Sequence, residues 1–363
     1  MVSLSDVLAS NAQISSTLPK RLVAVFAGAT TGIGEATLKA FVKYAVEPRI
    51  YLFARNPTSA ARVLAECRQL NSSAEYEFIK VDLSSVKETD VACGEIKRRE
   101  KLVNLMVLSA GELILDWTRK LNPCCTVRVT LRQTTATSEG LNPLLAASTY
   151  TRIRIAQQLL PLLETAAHTT SLARVLDVAA GTKEGEVNTS DIASLHTPLH
   201  RLRPQLASMH TLAWEALAQQ APTVSFVHEF PDAVYTSLHK DVSSFLTLLF
   251  ALAVEVIHAL LGRWLFVPIE ESGERHVFLA TSGQYKPREG KASGVPLVKE
   301  KDCGTGSDGV VGSGTYSVDW DGEGPTKSSE IALKVLRQKG VREIVWGHFT
   351  TEFDRISSRG QST

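Results

Sequence analysis

A glycine-rich turn between an apolar run and a helical pattern constrains the fold of this chain more than any other feature. The turn, Gly28-Ala29-Thr30-Thr31-Gly32-Ile33-Gly34, follows the apolar residues 22–27, and a helical pattern continues over 34–44. Glycines at this spacing permit a tight turn, a close backbone approach to a ligand, and close helix packing. The free N–H groups at the helix start favour phosphate. The pattern therefore predicts a dinucleotide site that includes Gly28, Thr30, Thr31, Gly32, Ile33 and Gly34.

Short apolar runs alternate with helical patterns along most of the chain. Strands are predicted at residues 22–27, 49–54, 75–81, 102–108, 173–178 and 224–228, and helices at 34–44, 59–70, 85–101, 144–164, 208–220 and 328–340. This alternation favours a parallel sheet with helices on both faces, and six strands complete a doubly wound sheet. We therefore expect an α/β Rossmann fold at residues 21–240. An N-terminal extension at 1–20 precedes it, and a C-terminal extension at 301–363 follows it, with a glycine-rich loop at 302–314.

One segment of the expected Rossmann domain is irregular. Residues 117–136, within an insertion at about 116–138, are polar, include Cys124 and Cys125, and lack a sustained period. Three interpretations stay open: a β-hairpin, a lid, or translated sequence from an unspliced intron. The intron interpretation rests on the continuity of the sequence that residues 115–116 and 137–141 would form if the segment between them were removed. Sequencing the mature transcript distinguishes it from the other two.

The stretch at residues 245–266 is the most apolar in the chain. It has the length to span a bilayer, which takes about 20 residues. Glu255, His258 and Arg263 interrupt it, and a charge near a helix centre costs roughly 2.5–3.5 kcal/mol on insertion. We expect a buried or interfacial helix that acts as an apolar substrate lid within residues 241–300. Weak membrane association through 245–266 is the alternative.

The ends of the second, third and fourth strands indicate which nucleotide binds. An acidic residue at the second strand end would bind the ribose 2′-OH of NAD, but this strand ends at Ala54 and is followed by Arg55 and Asn56. Arg55 can pair with a 2′-phosphate, so NADP(H) is the expected cofactor. We expect Asp82 and Leu83 to lie at the adenine, where the Asp82 carboxylate accepts a hydrogen bond from the adenine amino group. The nicotinamide is expected beside Ser109, Ala110 and Gly111.

These motifs resemble the short-chain dehydrogenase/reductase family from about residue 20 to residue 236. The family's T-G-x-x-x-G-x-G corresponds to residues 27–34, its N-A-G to 109–111, and its P-G-x-x-x-T to 231–236. Residues 27–40, 137–141 and 181–185 are similar, more narrowly, to fungal reductases of polyketide and meroterpenoid biosynthesis. The resemblance implies an NADP-dependent oxidoreductase that acts on a ketone or secondary alcohol of an apolar natural-product intermediate.

The family's catalytic tetrad of Asn, Ser, Tyr and Lys is not found, and no Y-x-x-x-K occurs in the expected region. In the family, Tyr donates a proton to the carbonyl oxygen and Lys lowers the Tyr pKa. The corresponding positions fall near Ser148, at Ala179 or Ala180, near Leu202 or Arg203, and near Leu206 or Ala207. Three interpretations follow: another donor, a nucleotide-binding protein without strong activity, or an isomerase or cyclase. For the first, the candidates are Thr182 and Lys183, then the weaker Tyr150 and His200.

Composition narrows the class of partner and the compartment. Lys and Arg total 39 and Asp and Glu total 38, for a net charge of +1, so a polyanionic partner such as nucleic acid is not expected. The five cysteines are odd in number and show no C-x-x-C or Cys/His metal spacing. The N-terminal residues lack the apolar run of a signal peptide. We therefore expect a reduced, cytoplasmic protein without a metal, whose partner is a small apolar molecule.

Overall fold

The computed structural model describes residues 1–111, 136–234, 266–297 and 303–358. Its centre is a parallel sheet of seven strands in the order β3-β2-β1-β4-β5-β6-β7. The strands are β1 Val23–Ala27, β2 Arg49–Ala54, β3 Glu75–Lys80, β4 Leu105–Leu108, β5 Arg174–Val178, β6 Ser225–Phe230 and β7 Thr315–Asp319. The predicted α/β doubly wound fold is confirmed. The predictions for residues 117–135 and 245–265 lie outside the described residues.

Helices connect the strands and cover both faces of the sheet. They are α1 Leu4–Ala12, α2 Ile14–Thr17, α3 Gly32–Tyr44, α4 Pro57–Leu70, α5 Val86–Arg99, α6 Pro143–Leu145, α7 Thr151–Thr169, α8 Leu199–Gln220, α9 Ile269–Thr281, α10 Lys327–Gln338 and α11 Val341–Ser358. A single π-helical turn, Ala146–Tyr150, joins α6 to α7. In the part of the chain that the structure describes, no helix combines the length and the apolar character needed to cross a membrane.

The prediction of six strands was wrong by one, because the C-terminal extension supplies β7. This strand pairs with β6 in parallel, from Phe226 opposite Thr315 to Phe230 opposite Asp319. Its five residues follow a glycine-rich run and precede a polar turn, so no neighbouring pattern marked them as a strand. Two helix predictions also need correction. Helix α8 begins at Leu199 rather than near residue 208, and helix α11 follows the helix that was expected to be last.

Each face of the sheet carries its own hydrophobic core. Helices α1, α3, α4 and α9 cover one face, with buried Phe41, Val63 and Phe278. Helices α5, α7, α8 and α11 cover the other, with buried Trp214 and Phe349. Since α11 buries five of its apolar side chains in this second core, the C-terminal extension is part of the folded unit. Its strand β7 also belongs to the sheet, which therefore extends beyond residues 21–240.

Helix α11 should therefore contribute strongly to stability. Phe353 is fully buried on it, whereas 44% of Ile344, on the same helix, is exposed. Phe353→Ala should lower the free energy of unfolding by about 3–5 kcal/mol, because it leaves a cavity in the core. The matched variant Ile344→Ala should change it by less than about 0.5 kcal/mol. Urea denaturation followed by circular dichroism measures both. Equal effects would show that α11 is not packed in solution as described.

Candidate functional site

The loop after β1 lies against the end of β4, and two glycines make this contact possible. Gly28 has a φ of +86°, and a methyl group there would overlap the backbone of Ala110. A methyl group on Gly34 would overlap the Ser109 hydroxyl and lie 2.6 Å from the carbonyl oxygen of Gly28. Glycine tolerates the left-handed backbone and leaves room for the neighbouring chain. The two loops therefore form a single surface at the carboxyl edge of the sheet, where doubly wound folds bind ligands.

A cavity of about 800 Å³ opens at this edge. Every residue predicted for the cofactor lines it: Gly28, Thr30, Thr31, Gly32, Ile33, Gly34, Arg55, Asp82, Leu83, Ser109, Ala110 and Gly111. The cavity continues past the fourth strand to a second end, which is lined by the turn before α7, the end of β5 and the first half of α8. One continuous space can therefore hold a dinucleotide together with a second molecule.

The first end of the cavity shows how its polar residues are held. Asn56 caps helix α4, its Oδ1 accepting from the backbone N–H of Thr58 at 2.9 Å, and this fixes the chain that carries Arg55 into the cavity wall. Asp82 Oδ1 accepts from the backbone N–H of Ser84 at 2.9 Å and from its hydroxyl at 2.8 Å. The Asp82 carboxylate therefore stabilises the turn before α5 as well as facing the cavity.

A buried arginine crosses the floor of the second end. Arg152, on α7, donates from Nε to the carbonyl oxygen of Ala110 at 2.8 Å, and its Nη2 donates to the same oxygen. Its Nη1 donates to Asp177 Oδ1 and to the carbonyl oxygen of Val178, both at 2.7 Å. A methyl group on Gly111 would lie only 3.5 Å from Nη2. The guanidinium therefore ties β4 to β5 beside the place expected for the nicotinamide.

Asp177, on β5, is the acceptor around which the second end is organised. Besides Arg152, it accepts at Oδ2 from His210 Nδ1 at 2.6 Å and from Trp214 Nε1 at 2.9 Å. Burial by itself would raise the pKa of Asp177, but the charges of His210 and Arg152 and the hydrogen bond from His210 outweigh it. The pKa is held well below its ordinary value, so Asp177 is a carboxylate at neutral pH.

His228, on β6, stacks on His210 with ring centroids 5.4 Å apart. Its Nε2 accepts from the backbone N–H of Ala180 at 3.1 Å, which leaves the proton on Nδ1, 2.8 Å from Thr211 Oγ1. Burial lowers the pKa of His228 to about 3. His228 is therefore a neutral ring in the cavity wall, and it adds no charge next to His210.

Asp177, His210 and His228 bring potential metal-ligating atoms within 4.8 Å of one another. These atoms already have other partners. The Arg152 guanidinium contacts the Asp177 carboxylate, and the backbone N–H of Ala180 occupies the free nitrogen of His228. A cation would have to displace a fixed positive charge at this position. The chemistry of the cluster favours proton handling over metal binding.

The loop candidates Thr182 and Lys183 lie away from the cavity. Thr182 donates its backbone N–H to Ser317 Oγ at 2.7 Å and its hydroxyl to Asp319 Oδ2 at 3.1 Å. Lys183 pairs with the same carboxylate oxygen at 2.9 Å. Neither is among the described residues that line the cavity. The cause is β7, which the sequence did not reveal and which places Asp319 beside this loop.

Tyr150 and His200 do not reach the cavity either. Tyr150 is buried, and its hydroxyl lies 2.7 Å from His348 Nε2, on α11. Burial also raises the pKa of this hydroxyl. His200 is exposed at the start of α8. The catalytic roles of Thr182, Lys183 and Tyr150 stay predictions, and the geometry favours other residues.

The positions counted for the family's tetrad do meet at the cavity, although the side chains differ from those of the family. Its lining includes Ser148, Ala179, Ala180, Leu202, Arg203, Leu206 and Ala207. Sequence reasoning missed the polar residues beside them, Arg152, Asp177 and His210. Asp177 interrupts an apolar run of β5, whereas Arg152 and His210 lie in parts of α7 and α8 that contain other polar residues. Because a buried charge is retained only with partners, the interruption at Asp177 was the available signal.

The lowered pKa of His228 gives a testable pH dependence. The unfolded chain takes up a proton below about pH 6.5, whereas the folded chain does so only near pH 3. The contribution of His228 to the free energy of unfolding is therefore fully present above about pH 6.5 and is lost as the pH falls toward 3. It should decline by up to about 1.4 kcal/mol per pH unit. Urea denaturation between about pH 4 and 7 should give a shallower slope for His228→Gln than for the wild type. Identical slopes would contradict the assignment.

The sequence matches known proteins over its whole length. The sequence model of the short chain dehydrogenase family matches residues 22–130. An oxidoreductase of Emericella nidulans, AN1596, is 32% identical over 99% of this chain and 100% of its own length. Oxidoreductase andH of Emericella variicolor is 30% identical over 99% of each chain. A short-chain dehydrogenase/reductase of Stachybotrys chartarum, SAT2, is 27% identical over 93% of each.

Solved structures share the fold at lower identity. L-sorbose reductase from Gluconobacter frateurii, solved with NADPH and L-sorbose, has a TM-score of 0.52 at 15% identity and covers 85% of this chain and 98% of its own. An NADPH-bound carbonyl reductase from chicken fatty liver has a TM-score of 0.51 at 13% identity, with coverages of 84% and 98%. The glycine motif, the seven-stranded sheet and the full-length relatives agree: the chain is an oxidoreductase of the short-chain dehydrogenase family.

Proposed function

We propose that the protein uses NADP(H) to interconvert a ketone and a secondary alcohol in an apolar natural-product intermediate. The observation that carries this proposal is one continuous cavity. The glycine-rich loop lines its first end, and its second end combines apolar walls with a buried polar cluster. The missing Cβ atoms of Gly28 and Gly34 let the loop after β1 pack against the end of β4, and the free N–H groups at the start of α3 favour a pyrophosphate there. The solved reductases named above bind NADPH, which supports the same cofactor here.

The choice of NADP(H) over NAD(H) rests on the end of β2. Arg55 and Asn56 line the cavity there, where NAD-binding members of this fold place a carboxylate for the ribose 2′-OH. A guanidinium can instead bind a 2′-phosphate through charge-assisted hydrogen bonds. When bound, the reduced nicotinamide supplies a hydride to the carbonyl carbon of the substrate.

The apolar side chains that line the second end of the cavity support the proposal of an apolar substrate. Leu144, Ala147, Leu202, Leu206 and Ala207 line it. Apolar walls also exclude water from the reacting atoms. The similarity to fungal biosynthetic reductases supports a natural-product intermediate. The lid predicted at 245–266, and the alternative of weak membrane association through the same segment, concern residues that lie almost wholly outside the described ones. A cytoplasmic location fits the free thiols of Cys67, Cys93 and Cys303.

A second function, nucleotide binding without turnover, is favoured by one observation. Leu202, Arg203, Leu206 and Ala207 occupy the region where the family has Tyr and Lys. Calorimetry with NADPH, followed by product analysis with an extract of the producing organism, separates the two. Binding with conversion of an extracted ketone supports the oxidoreductase, and binding without conversion supports the second function.

Arg55→Asp should weaken NADPH binding and reduce the preference of the protein for NADPH over NADH. The lost charge-assisted hydrogen bond is worth about 1.5–3 kcal/mol, or roughly 10- to 150-fold in Kd. Arg68→Asp, an exposed residue of α4 with the same change in charge, should leave both affinities nearly unchanged. Calorimetry with both nucleotides measures the effect. A wild type with equal affinity for NADPH and NADH would overturn the assignment of Arg55.

Gly32→Val should abolish the binding of both nucleotides. Gly32 has a φ of +60° at the start of α3, a conformation that β-branched residues avoid, and the new side chain would block the pyrophosphate. Gly94→Val is the control, because no atom lies within 4 Å of the Cβ position at Gly94. Retained NADPH affinity in a folded Gly32→Val protein would place the nucleotide elsewhere.

A further inference from the structure

We propose that Asp177, His210 and Thr149 form a proton relay that delivers a proton to the carbonyl oxygen of the substrate. The relay would take the place of the Tyr and Lys that this chain lacks. The inference rests on the proposed function, since it needs a ketone in the second end of the cavity. Thr149 and His210 both line that end.

The three side chains form a continuous hydrogen-bonded chain. Asp177 Oδ2 lies 2.6 Å from His210 Nδ1, and His210 Nε2 lies 3.0 Å from Thr149 Oγ1. They come from β5, from α8 and from the π-helical turn before α7. A carboxylate that orients an imidazole, which in turn exchanges a proton with a hydroxyl, is the arrangement that activates hydroxyl groups in many unrelated enzymes. The distances are those expected of working proton-transfer partners.

The hydroxyl of Thr149 differs from those of its neighbours. Ser148 donates to the carbonyl oxygen of Leu144 at 2.6 Å, and Thr151 donates to that of Leu83 at 2.8 Å. The Ser148 bond is the common helical kind, to a backbone carbonyl four residues earlier, and the Thr151 bond reaches the loop before α5. Among the hydrogen bonds of the described residues, the Thr149 hydroxyl has His210 as its partner. Thr149 is itself buried, with 0% of its surface exposed, so when His210 donates to it, the hydroxyl proton is left for a ligand in direct contact with this side chain in the cavity.

Asp177 is fixed in the state that the relay requires. Arg152 and Trp214 donate to the carboxylate, and only 1% of its side chain is exposed. Because a carboxylate accepts only, His210 carries a proton on Nδ1, which points its Nε2 at Thr149. The His210 side chain is 3% exposed. Proton exchange with bulk water therefore passes through the cavity rather than around it.

The atoms and electrons balance as follows. With NADPH bound, a hydride from the nicotinamide would add to the carbonyl carbon, and the π electrons of the C=O bond would move onto oxygen. That oxygen forms a bond to the hydroxyl proton of Thr149 as the Thr149 O–H bond breaks. Thr149 then takes the Nε2 proton of His210, which begins the step doubly protonated and is left neutral, with its Nδ1 proton still hydrogen-bonded to the Asp177 carboxylate. After the alcohol leaves, solvent in the cavity returns one proton to His210, which lines the cavity.

Catalysis by Thr149 is tested with the full-length enzyme, NADPH and two apolar ketones, 2-tetralone and 4-phenyl-2-butanone. Thr149→Val should lower kcat by about 10²–10⁴-fold, the usual contribution of a positioned proton donor. NADPH affinity should stay unchanged, and Thr149→Ser should restore most of the rate. Thr165→Val is the matched control, because Thr165 lies on α7 with its hydroxyl bonded to the carbonyl oxygen of Pro161.

His210 acts through Thr149 and is a positioning residue, so its test needs a readout other than rate. In the wild type, kcat should show a solvent deuterium isotope effect with a curved proton inventory, since two protons move together. His210→Gln should lose both the curvature and most of kcat. Proton NMR of the protein without ligands should show a far-downfield Nδ1 proton. It should vanish in His210→Gln, shift in Thr149→Val and persist in Thr165→Val.

The outcomes separate failure of the relay from failure of the proposed function. The relay is overturned if the wild type reduces either ketone and Thr149→Val keeps kcat within threefold. It is also overturned if the downfield proton is absent from the wild type. Loss of rate in Lys183→Met but not in Thr149→Val would assign proton donation to the loop after β5. A wild type that binds NADPH and reduces neither these ketones nor an extracted one would overturn the proposed function, and the relay with it.

Discussion

The buried carboxylate of Asp177 is the constraint on which the second end of the cavity depends. Moving such a charge out of water costs several kcal/mol, and the chain offsets this with donors from α7 and α8. Those donors can reach it only if both helices pack closely against β5. Arg152, once placed, also joins the end of β4 to the end of β5 through backbone carbonyls. One charge therefore fixes the relative positions of two helices and two strands, and it sets the floor of the cavity.

The sequence predicted the parts of the molecule that local patterns determine. Strand β1, the glycine turn and helix α3 are contiguous, so the spacing of apolar residues and glycines was enough to place them. The cofactor end of the cavity followed from the same motif and from the residues at the next three strand ends. Strand β7 escaped prediction because it is short and its partner β6 lies far away in sequence. Helix α11 escaped because its position depends on a core built mostly by earlier elements.

The second end of the cavity shows why its polar residues were harder to predict from the sequence. A polar loop after a strand is a reasonable place to look for a site, and Thr182 and Lys183 fit that rule. In the structure both side chains bind Asp319 of β7, and neither is among the described residues that line the cavity. Arg152 and His210, by contrast, lie within helices whose patterns otherwise indicate simple packing. Their shared contact with Asp177 becomes apparent only in the folded structure, where Arg152 binds one carboxylate oxygen and His210 binds the other. No local sequence pattern contains this three-dimensional information.

The late position of β7 has a consequence for how the protein is made. The backbone N–H of Thr182 and the hydroxyl of Ser317 that accepts from it are separated by 135 residues. Strand β6 ends at Phe230 and β7 begins at Thr315, so β6 lacks its neighbouring strand β7 while the ribosome synthesises the residues between them. At roughly 5–20 residues per second, this interval lasts on the order of several seconds. An exposed edge strand is a template for pairing with other chains. Until β7 is synthesised and pairs with β6, this edge of the sheet is therefore open to pairing with another chain.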